Sequence, residues 1–106
     1  MSAPLLAHSV FFTLRDKSPE AKKRLIASCK KYLTDHPGTV YFAAGSRAED
    51  LQWPASDAQF DVALHLVFAS RQAHDEYQDS PRHQQFLEEN EPHWAEVRVF
   101  DAYVEQ

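Results

Sequence analysis

The sequence predicts an α+β fold, ferredoxin-like βαββαβ with an antiparallel sheet, pairing into a dimeric α/β barrel. Three observations predict it. Four strand-like segments rich in β-branched and aromatic residues alternate with Ser-capped amphipathic segments in the order β-α-β-β-α-β. The third strand segment, F-D-V-A-L-H-L-V-F, is apolar on both faces. Two helical segments, the second of them split, can cover only one side of such a sheet, so the other side is expected to meet a second copy.

Ala7 to Leu14 reads as the first strand. His8, Val10, Phe12 and Leu14 share its more apolar face, and Ala7, Ser9, Phe11 and Thr13 share the other. Ser18-Pro19-Glu20 then opens a helix, with Ser as N-cap, Pro at the first helical position and an acid in the first turn. Ala21, Leu25, Ile26, Cys29, Tyr32 and Leu33 recur every three or four residues and make one stripe, opposite Lys22, Lys23, Lys30 and Lys31. His36-Pro37-Gly38 stops it. Thr39 to Gly45 is the second strand.

Ser46 to Gln59 is polar apart from Trp53-Pro54 and too long for a hairpin turn, so it reads as a flap or as holding a short helical turn. Phe60 to Phe68 is the third strand. It places Phe60, Val62, Leu64, Leu66 and Phe68 on one side and Asp61, Ala63, His65, Val67 and Ala69 on the other. Ser70 caps a short helix bearing Ala73 and Tyr77. Ser80-Pro81 opens another, on which His83, Phe86, Leu87, Asn90 and Trp94 fall on one stripe, with Pro92 blurring its end. Val97 to Val104 is the last strand, apolar on both faces.

Length and charge narrow the function classes. A chain of 106 residues is read as one domain, 1–106. Its net charge of -5 argues against nucleic acid, which needs a basic face to release counterions from phosphates. Met1 to Ala7 has neither the basic start nor the long apolar core of a signal peptide. No run of about 18 apolar residues exists, so no membrane span is expected. Cys29 is the single cysteine, which excludes an intrachain disulfide and fits a reducing compartment. The expectation is a cytoplasmic protein.

The opening H-S-V-F-F-T-L, the third strand, the tract E-Y-Q-D-S-P-R-H-Q-Q-F and the ending V-F-D-A-Y together resemble the stress-responsive A/B barrel family, over roughly Ala7 to Tyr103. That resemblance implies a homodimer in which two sheets close face to face. One branch of the family is olivetolic acid cyclase-like and performs a cofactor-free aldol condensation between helices and sheet. Its catalytic tyrosine and histidine fall on Tyr77 and His83, and a further histidine falls on His8. Another of its histidines falls on Val62 here, and aromatic pocket residues of its first helix are replaced by smaller side chains such as Ile26 and Cys29.

Tyr77, His83 and His8 are all expected to face the space under the helices. Histidine titrates near neutrality and can take a proton alpha to a carbonyl, and a tyrosine hydroxyl can hydrogen-bond the enolate oxygen. The same three residues would also serve as a structural hydrogen-bond cluster. A pocket for a small apolar ligand is expected from Val10, Phe12, Leu25, Ile26, Cys29, Val62, Leu64, Phe86, Leu87 and Trp94. No cofactor is required, and no metal site is expected, because no H-x-x-x-H or H-x-x-E-H pair occurs on a helix and His74 and His83 differ in register. His65 is expected to be structural. The functional expectation is a small dimeric barrel of unassigned activity, with room for a small apolar ligand between helices and sheet. The first alternative is a polyketide cyclase-like lyase with His83 as base. A third reading, a haem or quinol monooxygenase-like barrel, rests on fold analogy.

Overall fold

The computed structural model describes residues 4–106, so the first three residues of the segment read against a signal peptide lie outside the described residues. The elements are β1 (Leu5–Leu14), α1 (Pro19–Tyr32), β2 (Thr39–Ser46), β3 (Val62–Phe68), α2 (Arg71–Gln78), α3 (Pro81–Asn90), a 3-10 turn (Glu91–His93) and β4 (Trp94–Val104). The strands form one antiparallel sheet in the order β2-β3-β1-β4. This is the ferredoxin-like α+β fold that the element order predicts.

Each helix starts where a serine can cap it. The hydroxyls of Ser18, Ser70 and Ser80 accept from the backbone N–H of Ala21, Ala73 and His83 at 3.2, 3.1 and 3.1 Å. The core lies between the helices and one face of the sheet. Leu6, Val10, Phe12 and Leu14 of β1 meet Val62, Leu64, Leu66 and Phe68 of β3, covered by Leu25, Cys29, Tyr32, Leu33, Tyr77 and Phe86. Asn90 pins α3 to α1 by donating to Ser28 Oγ at 2.7 Å. The Arg82 guanidinium donates to the carbonyls of Lys31 in the last turn of α1 and of Thr34 just past it.

Several boundaries differ from the sequence reading, the larger differences for local reasons. β1 begins two residues early, because Leu5 and Leu6 pair with Val104 and Tyr103. β3 begins at Val62. Asp61 is instead a buried anchor whose Oδ2 accepts from the Leu14 N–H at 2.8 Å and from Lys17 Nζ at 2.9 Å. α3 stops at Asn90, since Pro92 lacks an N–H and restricts Glu91, and the chain turns once before β4. Trp94 therefore opens β4 opposite Leu14 instead of extending the α3 stripe. The segment between β2 and β3 contains turns and bends but no helical turn.

The helices leave two apolar surfaces bare. On the far side of the sheet, Phe11 and Val67 are only half-buried, and Tyr41 and Phe100 are exposed. On the helix side, β4 extends beyond the helical cover, and Val97, Val99 and Tyr103 are exposed. No helix among the described residues is long and apolar enough to cross a membrane.

Candidate functional site

The edge of β4 left open by the helices forms one wall of a cavity of about 320 Å3. Its floor is His8, Val10, Phe12 and Leu64 from the sheet. Tyr77, His74, Gln78, His83, Phe86 and Leu87 form the helical wall, and Trp94, Val97, Val99 and Asp101 line the β4 side. Three periodicities bring them together. His8, Val10 and Phe12 alternate along β1, Tyr77 falls one turn after Ala73 on α2, and His83, Phe86 and Leu87 share the inner stripe of α3.

Seven of the sequence-expected residues besides Tyr77 and His83 therefore border the same space: His8, Val10, Phe12, Leu64, Phe86, Leu87 and Trp94, with Trp94 arriving on a strand instead of a helix. Leu25, Ile26, Cys29 and Val62 are not on its wall. α1 packs over β2 and β3, so Cys29 and Val62 are sealed in the core at 0% exposure and Ile26 packs against that core. Leu25 borders a separate hollow of about 220 Å3 between α1, α3 and the end of β1. Burial pushes the Cys29 thiol up to about 12, which leaves it protonated and inert.

The aromatic rings interlock along the cavity wall. Tyr77 meets His83 edge-on at 4.9 Å between centroids, Phe68 at 5.0 Å and His8 at 6.0 Å. Phe12 and Trp94 are 4.8 Å apart. Packing of this kind fixes the rings and leaves their polar atoms little choice of partner. Among the described residues, the buried side-chain atoms without a hydrogen-bond partner are Thr39 Oγ1, Tyr77 OH, His83 Nδ1 and Trp94 Nε1. Three of these four belong to residues on the wall of this one cavity. A buried polar atom with no partner costs roughly 1–3 kcal/mol, so a cluster of them calls for a reason.

The protonation states follow from the packing. Burial, reinforced by the imidazoles of His8, His36 and His74, holds His83 down at about 4. Burial, with Cys29 nearby, pushes the Tyr77 hydroxyl well above the ordinary tyrosine range, so it stays a donor. His8 is also lowered by burial, against the opposing effect of Asp101, to whose Oδ1 its Nδ1 donates at 2.5 Å. Antiparallel pairing puts these two residues opposite each other on β1 and β4.

His74 and Asp101 are the members the sequence reading missed. His74 lies in a T-shaped contact with His8, with centroids 5.1 Å apart, and its Nδ1 donates to Asp75 Oδ1 at 2.9 Å. Asp75 is in turn gripped by Arg71 Nε at 2.9 and 3.1 Å. His65 lies on the far face of the sheet, where Ser9 bonds it at 3.1 Å. No catalytic role is needed to explain it.

A family model described as Stress responsive A/B Barrel Domain matches residues 6–104. No curated protein matches the sequence significantly. Several solved structures share the fold. A dimeric ferredoxin-like protein of unknown function from Thermobifida fusca superposes with a TM-score of 0.80 at 18% identity, over 96% of this chain and 92% of its own. A Dabb family protein from Mesorhizobium loti gives 0.79 at 24%, over 97% and 99%. The hydroxynitrile lyase of Passiflora edulis gives 0.78 at 19%, over 98% and 96%.

Proposed function

This chain belongs to the stress responsive A/B barrel family, and from that premise we propose that it works as a homodimer binding a small, largely apolar molecule that carries an oxygen acceptor. The single observation that carries the reading is the cluster of partnerless polar atoms on Tyr77, His83 and Trp94, all residues of one aromatic-walled cavity. Tyrosine O–H and indole N–H are donors, so the missing partner is an acceptor such as a carbonyl, phenol or ether oxygen. The rest of the wall, Val10, Phe12, Leu64, Phe86 and Leu87, suits an aryl or alkyl body. The dimeric state is supported by the bare far face of the sheet.

An aryl alkyl ketone and the hydrocarbon of the same shape test this. The ketone is expected to bind at least about tenfold more tightly, because the hydrocarbon leaves the donors unpaired. Tyr77→Phe is expected to erase part of that preference. The same variant is expected to keep or gain stability, by up to about 1 kcal/mol, since the hydroxyl it removes has no protein partner. Equal binding of ketone and hydrocarbon, or a Tyr77→Phe chain that loses stability, would count against the reading.

A second reading, cofactor-free lyase or cyclase-like acid–base chemistry, is favoured by the His8–Asp101 pair. A carboxylate on one ring nitrogen fixes the tautomer and supports positive charge on the imidazole, which makes His8 a better base than His83, held near 4. Tyr77 would then donate to the developing enolate oxygen. The hydroxynitrile lyase shares the fold, and that likeness carries no residue roles to this chain. On this reading His8→Gln abolishes turnover while His83→Gln slows it only modestly.

A further inference from the structure

We propose that His8, His74 and Asp101 form a binding site for one divalent first-row transition cation, Zn2+ in the first instance, on the cavity wall. One ligand atom from each residue can be chosen so that all three lie within 4.8 Å of one another. The three come from β1, α2 and β4, so no short-range histidine spacing marks them in the sequence.

The donor set selects the class of ion. Two imidazoles and a carboxylate suit Zn2+, Fe2+, Co2+ or Ni2+. They do not suit Mg2+ or Ca2+, which take oxygen ligands. The one thiol, Cys29, lies outside the cavity lining. Three protein ligands leave a further position for water or a bound oxygen, the arrangement of a reactive site as opposed to a closed structural one.

The second layer of contacts strengthens the assignment. In metal sites the ring nitrogen that does not bind the ion donates to a carboxylate, which orients the ring. His74 has this support: Nδ1 donates to Asp75, and Arg71 holds Asp75 by two bonds. His74 Nε2 is thereby left as the free ligand atom. This inference is independent of the ligand reading, and it competes with the acid–base reading, since a cation on His8 takes that lone pair out of proton transfer.

The test uses the tag-free full chain, stripped with chelator and titrated with micromolar Co2+ under absorption spectroscopy. One equivalent per chain is expected, with visible d–d bands of a four- or five-coordinate ion that Zn2+ then displaces. His74→Ala and Asp101→Asn are expected to weaken binding by at least about tenfold, and Asp75→Asn by roughly 10–100-fold through loss of ring orientation. His65→Ala, on the far face of the sheet, is expected to bind as the parent does. His74 and Asp101 are partly exposed, and thermal unfolding of each variant checks that the fold is kept. No saturable uptake by the parent chain, or undiminished uptake by folded His74→Ala and Asp101→Asn, would overturn the proposal. Loss of aryl ketone binding in Tyr77→Phe with Co2+ uptake intact would separate the fate of this site from that of the cavity.

Discussion

At His83 the packing that builds the cavity also sets a pH dependence. Its folded value near 4 lies below the ordinary histidine value of 6.5. Between these two values the unfolded chain binds the proton and the folded chain does not. Stability therefore rises with pH across that window and falls as the pH drops from about 6.5 toward 4, by at most about 1.4 kcal/mol per pH unit for one group. Urea midpoints at pH 7, 6 and 5 are expected to decrease in that order. His8, lowered in the same direction, adds to the slope. His83→Gln removes one titrating group and is expected to flatten the profile; an unchanged slope would show that His83 titrates alike in both states. At this scale the sequence was informative about residues on regular faces. Tyr77, His83 and His8 follow from helix and strand periodicity. Asp101 and His74 did not follow, because each becomes relevant only through register. Asp101 reaches His8 across the β1–β4 ladder, and the spacing of His74 from His83 carries no sign that the residue it meets is His8.

Elements were legible wherever a local rule fixed them. Two Ser-Pro pairs and Ser70 name the three helix starts, and the hydroxyl caps supply the reason. The end of α3 was not legible, since a helical stripe can be continued on paper through Pro92 to Trp94 while the backbone cannot follow it. The turn before β2 carries a sharper constraint. Gly38 has φ +84°, and a Cβ placed on it would lie 2.4 Å from the Ala73 Cβ on α2. Its carbonyl also accepts from the Ala69 N–H at 2.8 Å, tying the turn to the end of β3. Gly38→Ala combines left-handed strain with overpacking against α2, and is expected to destabilise by about 2–4 kcal/mol in urea unfolding. α2 carries both His74 and Tyr77, so the same variant is expected to disturb the cavity. Gly45→Ala, where a Cβ meets nothing within 4 Å, is the matched control, expected to shift stability by less than about 0.5 kcal/mol in the isolated chain.

For the whole molecule the deciding quantity is thickness. The chain measures 44 × 35 × 18 Å, and its shortest dimension leaves room for the sheet and one layer of helices only. Whatever covers the far face of the sheet must come from outside the described chain. On that face Phe11 packs edge-on against Phe60 at 4.9 Å and Phe100 at 5.6 Å, with Phe100 still 54% exposed and Tyr41 56% exposed. Water on such a surface is costly at roughly 25 cal/mol per Å2 of apolar area, and a second copy removes about 800 Å2 per partner in an interface of ordinary size. Phe100→Glu separates a dimer from a monomer cleanly. In a single chain the side chain is already wet, so the charge is tolerated and the fold is kept. In a sheet-to-sheet dimer the carboxylate is buried without a partner, a penalty of several kcal/mol that is felt twice across a two-fold axis. Light scattering at micromolar concentration is expected to give twice the chain mass for the parent and the chain mass for Phe100→Glu, with circular dichroism unchanged. A parent chain that runs as a folded monomer would remove the homodimer from the proposed function. It would leave the cavity intact, because every residue on the cavity wall is supplied by one chain.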